Sequence, residues 1–182
     1  KDRMKEDVRP EFFRSFVPRS YNVSLLNPDG ASQDRMTGKI KLYDYNPEKG
    51  ANNDHIFRTI IAELFKNDWA VYKNLPVDIM ILTGISGGNG SGTFQDLAVI
   101  AKDACPYPGN VRVYGYIMLP DTADKFADTV KAQMSLHRNG YAALKELESK
   151  MSLVMEQHAT QTVATNDGNI TVSATNLPFD YP

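Results

Sequence analysis

The sequence predicts an α/β fold, a doubly wound and mostly parallel sheet with helices on both faces. Three observations carry that prediction. Residues 77–82 (VDIMIL) and 111–119 (VRVYGYIML) are nearly continuous apolar runs, the pattern of strands buried on both faces of a parallel sheet. Each run is followed by apolar residues at helical spacing, so strands and helices alternate along the chain. Between the first run and its helix lie four closely spaced glycines, Gly87, Gly88, Gly90 and Gly92. A glycine loop at a helix entry lets backbone N–H groups point at an anion, which the helix dipole also favours.

In chain order, residues 1–19 are charged and carry Phe12, Phe13 and Phe16, enough for one short docking helix. Residues 21–26 read as a short strand, and 27–30 (NPDG) as a turn. GKIKLYDY, residues 38–45, alternates like a strand but also suits the start of a helix, and a run this short does not separate the two. Residues 46–53 form a loop, and Asp54 can cap a helix in which Ile56, Ile60, Ile61, Leu64 and Phe65 recur. Leu75-Pro76 closes that segment. The helix after the glycine loop, starting at about Ser91, buries Phe94, Leu97, Ala98 and Ala101 on one side. Val99 and Ile100 lie on another, so it is covered twice.

Residues 105–110 (CPYPGN) turn the chain into the second apolar strand. A long helix is expected over 122–158, with a stripe of Phe126, Val130, Met134, His137, Tyr141, Leu144, Leu147, Met151 and Val154. The stretch from 160 to 182 is rich in Thr and Asn, with a hairpin signal at NDGN, 166–169. It reads as an exposed appendage. The chain therefore divides into a docking segment (1–19), an α/β domain that carries the glycine loop (20–158) and an appendage (159–182).

Bulk composition narrows the function classes. With 182 residues, 42% apolar and 23% charged, the chain is an ordinary globular domain able to bury a core. A net charge of −2 gives nucleic acid no electrostatic footing as a partner. One cysteine, Cys105, rules out an internal disulfide framework and suits a reducing compartment. No apolar run approaches the length of a membrane-spanning helix. A start without methionine and an end without a terminal element read as a piece of a longer protein.

Loop spacing separates the phosphate-binding classes. No GxxxxGK[ST] follows the strand, so this is not a P-loop. GxGxxG also fails, because Thr93 and Gln95 fall where glycine is required. Asp121, at the end of the next strand, nevertheless stands where a dehydrogenase's ribose-binding acid would sit. Residues 84–88 (GISGG) match a hydrolase elbow with Ser86 as nucleophile and His137 or His158 as base. A packed histidine on the apolar stripe is the plainer account of His137.

GISGGNGSGTF resembles the glycine signature loop of the tubulin and FtsZ superfamily, with Asn89 where threonine is usual. GASQDRMTGK, residues 30–39, looks like that superfamily's γ-phosphate loop, with Ser32 replacing a glycine. NGYAALKEL, 139–147, is similar to the helix after the next strand. The likeness is closest to the divergent bacterial tubulin-like proteins and covers about residues 20–158. It implies a cytoplasmic, guanine-nucleotide-binding domain, with GTP or GDP, and Mg²⁺ beside it, on the carboxyl ends of parallel strands. It further implies that such subunits assemble head to tail.

By the same resemblance Gly87, Gly88, Asn89, Gly90, Ser91 and Gly92 hold the α- and β-phosphates. Ala31 and Ser32 approach the γ-phosphate, and Pro120 and Asp121 begin the ribose loop. Gln133 occupies the place of a nucleotide-contacting arginine, and Arg138 is a candidate substitute. Asp96 is a candidate for placing Mg²⁺ through water, although a carboxylate near a helix N-terminus is favoured without any metal. The resemblance also makes GKIKLYD helical.

The superfamily's first GxGG-type loop has no counterpart before Gly30, and its NxD-type hydrolysis acid has none after residue 158. The chain is therefore expected to be an incomplete domain that does not hydrolyse GTP by itself. The departures at Asn89 and Ser32 also suit a scaffold that keeps the fold without nucleotide.

Overall fold

The computed structural model describes residues 31, 33–46, 50–72, 75–105, 110–155, 161–165, 168–172 and 178–180. The docking segment, the 21–26 strand, Ser32 and His158 lie outside the described residues. Asp34 sets the first helix, α1 (Arg35–Tyr43), by accepting from the N–H groups of Met36 and Thr37, as an N-cap aspartate does. The helical reading of GKIKLYD holds. Ile40 and Tyr43, three apart on one face, are both buried.

A two-residue antiparallel pair follows, β1 (Tyr45–Asn46) with β2 (Ala51–Asn52), and Gly50 takes the left-handed φ of 67° between them. α2 (Asn53–Tyr72) begins at Asn53, whose side-chain amide donates to the Lys41 carbonyl. On α2, Ile61 and Phe65 pack against the core while Ile60 and Leu64 face solvent.

The centre is a β–α–β unit: β3 (Val77–Gly84), α3 (Gly88–Ala104) and β4 (Val111–Met118). β3 and β4 pair in parallel, from Val77 opposite Val111 to Gly84 opposite Met118. Val77, Ile79 and Ile81 of β3 and Val111, Val113 and Ile117 of β4 point to one face, where α2, α3 and α4 cover them. α3 is enclosed on two sides as expected, with Phe94 and Ala98 in the sheet-side core and Val99, Ile100 and Ala101 also buried. The α/β class and the parallel pairing are as the sequence predicts. Among the described residues the helices lie on one face of this pair, which makes it a partial version of the doubly wound arrangement.

Two short 3₁₀ turns, Pro120–Thr122 and Asp124–Phe126, precede α4 (Val130–Met155). The long helix thus starts later than Thr122, where the Thr129 hydroxyl accepts from the Ala132 N–H. The expected stripe holds at Leu147 and Met151, which join the core, but its earlier part is displaced. Leu136, Gly140, Ala143 and Leu147 point inward, whereas Phe126, Val130, Met134, His137, Tyr141 and Leu144 are exposed. Small residues form the tight contact, and a search for bulky apolar side chains passes over them.

β5 (Gln161–Thr165) and β6 (Gly168–Val172) form the expected hairpin, closing at Thr165 opposite Gly168. Residues 178–180 are not part of an exposed appendage. Phe179 is fully buried, its ring 5.9 Å from that of Phe94 and seated over Gly115. Asp180 exchanges bonds with Val113, its N–H donating to the Val113 carbonyl and its carboxylate accepting from the Val113 N–H. Lys102, itself buried, adds an ion pair to Asp180 at 2.8 Å.

Candidate functional site

The glycine loop lies at the carboxyl ends of β3 and β4, where the Ile85 N–H donates to the Met118 carbonyl. α3 begins at Gly88, not at Ser91, so Asn89 and Gly90 are already in its first turn. The N–H groups of Gly88, Asn89 and Gly90 are therefore the ones a helix cannot satisfy internally. Gly87 is the extended N-cap residue and brings no side-chain cap. The neighbouring hydroxyls point elsewhere. Ser91 Oγ donates to the Gly87 carbonyl and Thr93 Oγ1 to the Asn89 carbonyl. Asn89 itself faces solvent.

The glycines also have a packing role. A Cβ on Gly88 would stand 2.3 Å from the Asp34 carbonyl oxygen and 2.7 Å from that of Ala31. On Gly90 it would meet the Gly84 carbonyl at 2.1 Å, and on Gly92 that of Arg35 at 2.3 Å. Gly38 of α1 answers from the other side, where a Cβ would stand 2.3 Å from the Gly88 carbonyl oxygen. Bare backbone at these positions lets α1 and the end of β3 press directly on the first turn of α3. Ala31 is buried here and its carbonyl accepts from the Asp34 N–H. Arg35 forks between the Ser91 carbonyl and Glu146 of α4, the latter at 2.9 and 2.6 Å.

Past β4, Pro120 is buried against Gly140, where a Cβ would lie 2.3 Å from its ring. Asp121 is exposed. His137, far from being a packed core residue, is exposed and holds Nε2 2.9 Å from both oxygens of Asp124. That hydrogen bond holds the imidazole above its ordinary pKa. Among the described residues His137 makes no bond to Ser86, whose side chain is buried, so the hydrolase pairing gains nothing from the geometry. Asp121, Asp124 and His137 bring one ligand atom each within 4.8 Å of one another. Gln133 donates weakly to the Asp124 carbonyl at 3.4 Å, and Arg138 is exposed on α4.

Asp96 does not face the loop mouth. It is buried between Lys39, at 3.1 Å, and Lys150, at 3.4 Å. Burial pushes its carboxyl upward, but the two ammonium groups more than offset this and leave its pKa lowered. Burial likewise pulls Lys150 below its usual value, against the attraction of Asp96. A carboxylate so engaged is a structural ion pair.

A family model described as tubulin like matches residues 15–182. The chain belongs to the tubulin-like family. No curated protein and no solved structure matches it.

In this tubulin-like chain the structure brings Ala31, Gln33 and Asp34 together with the glycine turn 87–92, and links them to Pro120 through Asn139-Gly140. It leaves Asp121, Gln133 and Arg138 along the 120–138 segment. Sequence reading gave Asn139 no role beyond opening the NGYAALKEL similarity, yet its side-chain amide donates to the Gln33 carbonyl at 2.7 Å and to the Ser86 carbonyl at 2.9 Å. A signal was there: Asn-Gly inside a long helical pattern is poor in propensity, glycine alone costing about 1 kcal/mol relative to alanine. Such a pair survives in a helix when something outside the helix requires it.

Proposed function

We propose that this tubulin-like chain binds the phosphates of a guanine nucleotide, GTP or GDP, on the first turn of α3. The observation that carries the reading is the N-terminus of α3, without a side-chain cap, at the carboxyl ends of two parallel strands. Membership of the tubulin-like family supports the choice of ligand and supports head-to-tail self-assembly. In this reading Gly87, Gly88, Asn89, Gly90, Ser91 and Gly92 surround the α- and β-phosphates. Ala31 and Ser32 approach the γ-phosphate, with Mg²⁺ neutralising the phosphate charge. Pro120 and Asp121 begin the ribose loop, and Gln133 and Arg138 lie beyond it.

Three charge-assisted bonds at about 1.5–3 kcal/mol each supply roughly 4.5–9 kcal/mol. Association costs on the order of 4–15 kcal/mol. The loop alone therefore binds weakly, and contacts from the remainder of the site decide the affinity. The reading is one of binding, not of hydrolysis by the chain alone, because no NxD-type acid is recognisable in residues 159–182.

The test is a titration of fluorescent GTP with Mg²⁺ into the wild type and Asn89→Asp. Asn89 is exposed, so the exchange spares the packing and adds only a negative charge among the amides. Saturable binding that weakens at least tenfold in the variant is expected. No saturation, or an unaffected variant, overturns the proposal.

A second reading has its own observation. The contacts at Gly88, Gly90 and Gly92 account for the glycines by backbone packing, as in a scaffold that keeps the fold without nucleotide. Assembly by light scattering in the absence of GTP would favour it.

A further inference from the structure

Three loops meet one dipeptide of α4. Asn139 has two side-chain N–H bonds to give, and both go to loop carbonyls. One goes to Gln33, ahead of α1, and the other to Ser86, at the entrance of the glycine turn. The next residue, Gly140, is buried and accepts the Pro120 ring in the space a Cβ would fill. The segments before α1, after β3 and after β4 are thus all referenced to residues 139 and 140. They come from places 106 and 53 residues away in sequence.

Other ties share the junction without this reach. Arg35, the first residue of α1, joins it to Glu146 and to the Ser91 carbonyl, but both of these lie inside helices and not in the loops. Asn139 is the described residue that bonds two of the loops at once. Both carbonyls it holds belong to residues just outside a helix start. Fixing them fixes the direction in which the following N–H groups point.

We infer that Asn139 is a positioning residue for the phosphate turn, fixing the Gln33 carbonyl ahead of α1 against the Ser86 carbonyl ahead of α3 and so the direction in which the first amides of α3 point. Gly140 completes the arrangement by seating the loop after β4. The inference rests on the nucleotide reading for its effect on affinity, but not for its effect on the loop itself. The two arms below separate those cases.

The experiment compares wild type with Asn139→Asp, Asn139→Ala and Leu147→Ala. Asn139→Asp keeps the volume and shape of the side chain but removes both donors. Leu147→Ala truncates a buried residue of the same helix and loosens α4 without touching the loops. In the first arm, amide exchange is followed in the unliganded proteins. Both Asn139 variants should speed exchange at least tenfold at Ile85, whose N–H is bonded to the Met118 carbonyl, and at Ser91 and Gly92, the first amides bonded within α3, whereas Leu147→Ala should lower Tm without singling out these amides. In the second arm, fluorescent GTP is titrated, and both Asn139 variants should weaken binding at least tenfold while Leu147→Ala leaves it within twofold.

Equal exchange at Ile85, Ser91 and Gly92 in Asn139→Asp and wild type would overturn the positioning role. So would loosening of the same size in Leu147→Ala. Absence of GTP binding in the wild type, with the exchange result as expected, would remove the nucleotide reading and leave the positioning of the turn standing.

Discussion

The two faces of the β3–β4 pair carry similar residues and meet different fates. On one, Val77, Ile79, Ile81, Val113 and Ile117 lie beneath three helices and the inserted Phe179. On the other, Met80, Leu82, Tyr116 and Met118 are exposed, Leu82 to 74%. Side chains of successive strand residues alternate between faces, so the unbroken apolar runs are a request for cover on both sides. The described residues answer it on one side, and that is the side on which the glycine turn, Asn139 and the Asp96 ion pairs are built. The loop geometry at the strand ends thus depends on the covered face alone. Substitutions on that face should be costly, and those on the open face cheap.

The largest effect is expected at Phe179. Its truncation to alanine removes the ring that fills the gap over Gly115 and stacks on Phe94, and should lower stability by about 3–5 kcal/mol. Denaturant unfolding measures it. A loss below about 1 kcal/mol would mean that the end of the chain does not belong to the core.

Next comes Asp96→Asn, which leaves two lysines facing a neutral partner. Breaking a buried pair costs about 3–5 kcal/mol. The low end applies, because the Lys39 side chain keeps 27% of its exposure. The folded carboxyl is held below its ordinary value of 3.8, so its contribution is full above that pH. It is lost as pH falls through the lower folded value. Acid unfolding of the wild type should therefore be steep below pH 3.8, and shallower in the variant.

Gly90→Ala follows, at about 1–3 kcal/mol. The new methyl would strike the Gly84 carbonyl, which is backbone and has little room to move. At the other end of the scale, Leu82→Thr on the open face should stay within about 0.5 kcal/mol. A loss several times larger would show that this face is covered in solution.

How much of this could be read from residues alone follows the same division. The α/β class, the parallel pairing of the two apolar runs and the double cover of α3 were legible, because large apolar side chains at period 2 or 3.6 mark them. The 161–172 hairpin was legible from NDGN. What escaped reading depends on contacts between distant, often small residues. GKIKLYD alternates as a strand does, yet Asp34 supplies a cap and α3 a glycine-bare surface for Gly38, so a helix forms. The stripe on α4 was placed by bulk, while the helix packs through Gly140 and Ala143. Phe179 sits in a stretch of Thr and Asn whose composition predicts exposure, and no local pattern shows that Gly115 leaves a place for its ring. In the glycine turn, the positions were legible from spacing. Their division between packing (Gly88, Gly90 and Gly92) and solvent contact (Asn89) was not, because it depends on where α1 lies.

The smallest expected effect concerns His137, on the exposed side of α4. The bond to Asp124, helped by the charge of Asp121, raises its pKa above the ordinary 6.5. A raised histidine stabilises the fold fully below its unfolded value, and the contribution disappears as pH climbs through the folded one. Because the imidazole is solvent-exposed, the shift should be visible in a proton NMR titration long before it is visible in stability. Asp124→Asn removes the carboxylate and should return the titration to near 6.5. Asp121→Asn, a more distant charge, should move it by less. If Asp124→Asn left the midpoint unchanged, the pair would not persist in solution. The 3₁₀ turns before α4 would then be held by Pro120 on Gly140 rather than by this bond.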